Sequence, residues 1–126
     1  MRRRGKYNAH KTVVDGTTFA SKAEARRYCQ LKDMETRGEI YSLGLQKRFP
    51  LWAWDTTQRT PAGIKVCDYV ADFVYYRKVD GEPTYVVEDA KGSAKTITPL
   101  FRLKKKMMLA CHGIEVKVVI MGRESK

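Results

Sequence analysis

Three residues in two apolar runs have types and spacings that could do chemistry together. The run VADFVYY embeds Asp72, and VVEDAKG ends on Asp89 and Lys91. An acid in so apolar a strand is costly unless a cation, a metal or a raised pKa satisfies it. Side chains alternate faces along a strand, so Asp89 and Lys91 point the same way and Glu88 the other. Asp80-Gly81 between the runs predicts an antiparallel hairpin that brings the two aspartates together. Two such carboxylates repel, and a divalent cation resolves that repulsion while creating a catalyst. The bland alternative is an ion-pair cluster on a sheet surface. Glu24 also has two readings. Ser21-Lys-Ala-Glu24 is a capping box, in which Glu24 ties off a helix start. Tyr28 and Leu31 follow at i+4 and i+7, which puts Glu24 on the inward stripe and lets it reach a metal centre. Gln46, on the strand before Asp72, is an accessory candidate or ordinary strand polarity, and Asp68 is an alternate acid if the register differs.

The elements that must hold these residues follow from turn and cap signals. TVVDGTTF predicts a tight N-terminal hairpin, and Ser21 opens a helix that runs to about Arg37 before Gly38. Residues 45–54 predict a strand whose Pro50 marks an edge or a bulge. A polar loop (DTTQRTPAG) leads to strands over 64–77 and 84–91. Thr98 caps a second helix with Pro99 at its first position, and IEVKVVI closes the chain as a strand. The order is a short hairpin followed by α-β-β-β-α-β, with residues 12–126 as one domain and 1–11 as a flexible basic arm. In the second helix, Leu100, Leu103, Met107 and Cys111 predict the buried stripe. Lys104 falls within it, either snorkelling outward or reaching the acids or a phosphate. Arg102, Lys105 and Lys106 gather on another side. Trp52, Trp54, Tyr75 and Tyr76 read as core and edge packing rather than as stacking platforms. His10 and His112 have no partner legible in the sequence.

Asp72, then a hairpin, then Asp89-Ala90-Lys91 resembles the signature of the PD-(D/E)XK nuclease superfamily, and the α-β-β-β-α-β order resembles its restriction-endonuclease-like core, a mixed central sheet flanked by helices. Ala71 stands where that signature has proline. The runs SKAEARRY, VADFVYY and VVEDAKG look like a family of small phage-encoded proteins and, more distantly, like phage Holliday-junction resolvases. The resemblance implies that Asp72 and Asp89 hold one or two magnesium (or manganese) ions, with Glu24 in the place of the resolvases' helix glutamate. It implies that Lys91 orients water or stabilises charge on the phosphate. The expected activity is hydrolysis of phosphodiester bonds in branched DNA (Holliday junctions) or duplex DNA, in phage recombination, repair or packaging. Two sites are needed to resolve a junction symmetrically, which predicts a homodimer, joined through an exchanged N-terminal segment or the apolar LWAW surface. The rival readings are a non-catalytic DNA-binding protein and the cutting subunit of a larger transposition or packaging assembly.

The composition agrees with a nucleic-acid partner. Lys and Arg outnumber Asp and Glu by 25 to 14, a formal charge of +11 on 126 residues. So strong a positive charge favours polyanions, because each neutralised phosphate releases counterions. Arg2, Arg3, Arg4 and Lys6 are candidate phosphate contacts or a frayed terminus. Arg102, Lys105 and Lys106 are candidate DNA-backbone contacts or a solvated face. Cys29, Cys67 and Cys111 are odd in number and lie far apart, which argues against a zinc site or a disulfide framework and fits reduced thiols in the cytoplasm. The basic start is followed by no apolar run, and no stretch approaches the ~20 apolar residues of a membrane helix.

Overall fold

The computed structural model describes residues 11–60 and 62–122. Arg2, Arg3, Arg4, Lys6 and His10 lie outside the described residues. Strands β1 (Thr12–Val14) and β2 (Thr17–Phe19) form a hairpin, followed by helix α1 (Lys22–Thr36) and the long strands β3 (Tyr41–Asp55) and β4 (Ala62–Val79). Strand β5 (Glu82–Lys91), a single 3-10 turn (Ala94–Thr96), helix α2 (Pro99–His112) and strand β6 (Lys117–Ile120) complete the chain. The result is a mixed α/β fold: a sheet of order β3-β4-β5-β6, antiparallel except for the parallel β5/β6 pair. Among the described residues no helix is long and apolar enough to cross a membrane.

Both predicted hairpins form. Asp15-Gly16 and Asp80-Gly81 are two-residue loops with positive φ at both positions, the type I′ geometry that matches strand twist. Ser21 caps α1, its hydroxyl accepting from the Glu24 N–H at 3.2 Å, and Thr98 caps α2 from Phe101 at 3.0 Å. Pro50 sits on β3, an edge strand of the sheet, where its missing N–H costs no ladder bond to a further strand. β3 is longer than predicted, taking up irregularities between Tyr41 and Gly44 and between Leu51 and Trp52. The last strand is shorter than predicted and begins at Lys117.

Two clusters make the core. One joins α1 to the sheet through Phe19, Tyr28, Leu31, Ile40, Phe73 and Tyr75. The other joins α2 through Phe49, Leu51, Tyr69, Val87, Phe101 and Met108. The expected stripe of α2 is corrected here. Leu100 and Leu103 are 58% and 55% exposed, and Phe101 and Met108 are buried instead. The helix offers two apolar stripes one residue apart, and the one holding the aromatic ring is buried, because a ring hides more apolar area. Lys104 falls on that inward side and is half-buried. His112 has a partner after all, its Nε2 lying 2.7 Å from the Pro50 carbonyl and docking α2 on β3.

The tie between α1 and the sheet is ionic. Arg27 donates to both carboxylate oxygens of the fully buried Glu88, at 2.8 and 2.7 Å, and the Tyr75 hydroxyl donates to the same group. Removing one partner of such a pair strands a buried charge, at a cost of about 3–5 kcal/mol. Arg27→Ala is therefore expected to remove a large share of the roughly 5–15 kcal/mol that holds a domain folded. Urea denaturation followed by circular dichroism would measure it, and a loss under about 1 kcal/mol would refute this role for the pair.

Candidate active site

The site lies where β4 and β5 part. Their ladder ends at Phe73 and Glu88, and residues 88–91 of β5 pair onward with β6. Next to the break the Asp72 carboxylate accepts the Ala90 N–H at 2.9 Å, taking up a backbone donor that the ladder no longer uses. Alternation also breaks at this point: Ala71 joins the cluster under α2, and Phe73, two residues on, joins the cluster under α1. Gln46 occupies the register position facing Asp72, between the pairs Leu45/Phe73 and Lys47/Ala71. Its backbone is left-handed (φ 54°), a conformation costing a non-glycine residue on the order of 1 kcal/mol. Gln46 is thus beside the site and exposed.

Asp89 and Lys91 share a face, as their spacing requires, and Glu88 takes the other. The Lys91 ammonium lies 3.0 Å from Asp89 Oδ2 and 4.5 Å from the centre of the Phe101 ring, which holds it from below by a cation–π contact. The Tyr69 hydroxyl donates to Asp89 Oδ1 at 3.0 Å. Oδ2 is buried and has the Lys91 ion contact but no aligned hydrogen-bond donor. Neither Tyr69 nor Phe101 was foreseen. Nothing local in the sequence marks a tyrosine 20 residues from the acid it contacts.

The electrostatics join these groups into one cluster. Burial first, then the charges of Asp89 and Glu24, push the Asp72 carboxyl up to about 8, against the Ala90 N–H and Lys91. Burial and then Asp89 raise Glu24 as well, opposed by the Ala20 N–H and Lys91. Glu24 therefore faces the aspartates from the start of α1, half-buried, while its own N–H serves the Ser21 cap. Among the described residues no three His, Cys, Asp or Glu side chains are arranged to hold one metal ion. The carboxylates are gathered, and Lys91 occupies the place against Asp89.

The remaining candidates sit elsewhere. Among the described residues Lys104 forms no ion pair, and the ion pair to Asp89 is made by Lys91. Arg102, Lys105 and Lys106 line a shallow depression of about 240 Å³ with Leu109 and Glu115. Asp68 is not an alternate acid, because Arg48 (3.3 Å) and Lys65 (3.0 Å) engage it on the far part of β4. Tyr75 is core, Tyr76 stacks on Tyr41 at 5.7 Å, and Trp52 and Trp54 pack at the edge, against Gly63, with 41% and 65% of their surface exposed.

Fold and site thus define a small mixed α/β protein with three carboxylates and a lysine gathered at a strand parting. The chain belongs to a family described as protein of unknown function (DUF1064), whose model matches residues 4–126. No curated protein and no solved structure matches it significantly.

A carboxyl whose pKa is raised in the folded state binds its proton more tightly there. Its stabilising contribution is complete below the ordinary carboxylate range of about 4 and is lost as pH rises through about 8. Metal-free protein is therefore expected to lose stability across that window, and Asp72→Asn to flatten the loss and raise Tm above pH 8. Magnesium at pH 8 is expected to raise the wild-type Tm and leave the variant's unchanged. Differential scanning calorimetry decides both, and identical pH profiles for the two proteins would refute the raised pKa.

Proposed function

We propose that this chain is a divalent-metal-dependent DNA endonuclease of the PD-(D/E)XK kind, which hydrolyses phosphodiester bonds and selects DNA by structure rather than by sequence. One observation carries the reading: Asp72 and Asp89 meet where their strands part, with Lys91 3.0 Å from Asp89 and Glu24 in electrostatic reach. The order α-β-β-β-α-β with a mixed sheet supports the restriction-endonuclease-like assignment.

The chemistry of these residues suits a magnesium or manganese ion, although among the described residues no three of them are arranged to hold one together. All the acidic groups are hard oxygen donors, and Asp89 Oδ2 is buried without a hydrogen bond. Burial first and then repulsion raise Asp72 and Glu24, and a divalent cation relieves the repulsion. Asp72 and Asp89 would hold one or two ions, with Glu24 as a further ligand. Bound there, the ion supplies Lewis acidity toward a phosphodiester and a water molecule. Lys91, fixed between Asp89 and Phe101, presents a positive charge to the phosphate as negative charge builds on it. Tyr69 holds Asp89 in place through Oδ1.

Arg102, Lys105 and Lys106 lie on α2, the helix whose Phe101 supports Lys91, and offer a grip for a DNA backbone. A domain this small has little area for reading bases, which favours recognition of DNA shape. Symmetric cutting of a four-way junction needs two sites, so the working unit is proposed to be a homodimer. The setting implied by the resemblance is phage or prophage recombination, repair or packaging.

The test uses a labelled four-way junction and the matching linear duplex, with magnesium or EDTA. Magnesium-dependent cutting that favours the junction is expected, with Asp89→Asn inactive and Lys91→Ala slower by on the order of 10²–10³-fold. If wild type and Asp89→Asn bind DNA equally and neither cuts, the chain is a DNA-binding protein without this activity.

A further inference from the structure

β3 and β4 run past the rest of the sheet. Beyond Phe73 the ladder to β5 has ended, and residues 47–55 and 62–71 pair only with each other. α2 covers one face of this two-stranded arm through Phe49, Leu51 and Tyr69. Along β3 those buried residues alternate with Arg48, Trp52 and Trp54, which therefore lie on the face turned away from α2. Trp52 is 41% exposed and Trp54 65%. Aromatic side chains of that size are among the costliest to leave in water.

The two indoles are not loose. Trp54 pairs with Gly63 across the arm, and Trp52 with Lys65. A Cβ on Gly63 would stand 3.1 and 3.3 Å from two atoms of the Trp54 ring and 3.4 Å from the Trp52 ring. Both rings therefore lean over the bare backbone of Gly63, where any side chain would displace them. From the other face, α2 holds the Trp52 backbone: its N–H lies 3.3 Å from Cys111 Sγ, and the thiol lies 3.2 Å from its carbonyl.

The surroundings of the rings are cationic. Arg48 and Lys65 share the single carboxylate of Asp68. Two cations thus stand against one acid beside the rings. Flat rings held against the backbone beside a surplus of positive charge suit a strand whose bases are unstacked and whose phosphates lie close by.

We infer that this face is a stacking platform for unpaired DNA bases, with Trp54 and Trp52 receiving bases and Arg48 and Lys65 meeting phosphates. The inference rests on DNA being the ligand of the site proposed above, and it names the feature of that DNA. A continuous duplex keeps its bases stacked inside and offers the rings nothing, whereas a branch point, flap or single strand offers bases. The arm is also the outward continuation of β4, the strand of Asp72. Nine residues separate Asp72 from Gly63, roughly 30 Å at ~3.3 Å per residue, so bases held there would fix one arm of a branched substrate while another reaches the acids. A second copy of the chain fits this face less well. Two such faces packed together would oppose Arg48 and Lys65 of one copy to those of the other, and like charges brought together repel.

The chain has two tryptophans and seven tyrosines, so emission excited at the red edge, where only indole absorbs, reads this face alone. The experiment titrates full-length wild-type protein in EDTA with a short oligothymidylate and with a base-free phosphodiester chain of equal length. Saturable quenching by the oligothymidylate and none by the base-free chain is expected. Trp54→Ala is expected to weaken oligothymidylate binding about ten-fold and leave binding of the base-free chain unchanged, and Trp54→Phe to keep most of the affinity. Equal quenching by both polymers, or an unchanged affinity in Trp54→Ala, overturns the inference. So does emission that shifts to the blue with protein concentration alone, alongside a dimer that Trp54→Ala dissolves, because the occupant is then a second copy. Quenching by a protein that never cuts any substrate would leave the platform standing and remove the nuclease reading.

Discussion

A carboxylate taken out of water must find donors or cations, and β5 buries two such groups in succession, Glu88 and Asp89. Alternation sends them to opposite faces, where they meet opposite treatment. Glu88 receives two hydrogen bonds from Arg27 and one from Tyr75, which leaves little room for further partners and locks α1 against the sheet. Asp89 receives one from Tyr69 and an ion contact from Lys91, and its second oxygen lacks an aligned donor. The satisfied acid is structural. The other, a single residue away on the same strand, keeps one oxygen without an aligned donor. Because α1 is pinned by Arg27, Glu24 one turn earlier is pinned with it, facing Asp89 and Lys91.

The parting of β4 from β5 follows from the same demand. Continuing the ladder past Phe73 would bring Asp72 and Asp89 into adjacent strand positions, where like charges oppose. The chain leaves the ladder instead, and Asp72 accepts the Ala90 N–H that the ladder gives up. A left-handed Gln46 across from Asp72 and the break in alternation between Ala71 and Phe73 are the backbone's response to that change of course. β4 then leaves its neighbour and continues with β3 as the projecting arm.

Much of this was legible in the sequence, because it is written in short-range signals. Two Asp-Gly turns and the Ser21 and Thr98 caps fix where elements begin, and the period-2 run around Asp89 fixes which way its side chains point, whereas alternation breaks beside Asp72. The helix stripe that placed Glu24 inward held for Tyr28 and Leu31, both buried. What failed was decided by packing. α2 carries two apolar stripes a residue apart, and only the sheet beneath it selects Phe101 and Met108 over Leu100 and Leu103. The tryptophans pack only at the edge, against Gly63, because α2 covers the Leu51 face of the arm. Tyr69 reaches Asp89, Arg27 reaches Glu88 and Phe101 reaches Lys91 from other elements, and no local pattern encodes such meetings.

The strand β4 ties these features into one device. Its middle carries Asp72, its C-terminal half is clamped between β3 and β5, and its N-terminal half forms the arm. α2 touches both regions: Phe101 near its start supports Lys91, and Cys111 and His112 near its end grip the backbone of Trp52 and Pro50. A strand and a helix that each span the distance from acids to indoles leave little freedom for one to move without the other. DNA held on the arm would therefore meet the carboxylates at a separation set by secondary structure, with no flexible linker between grip and site.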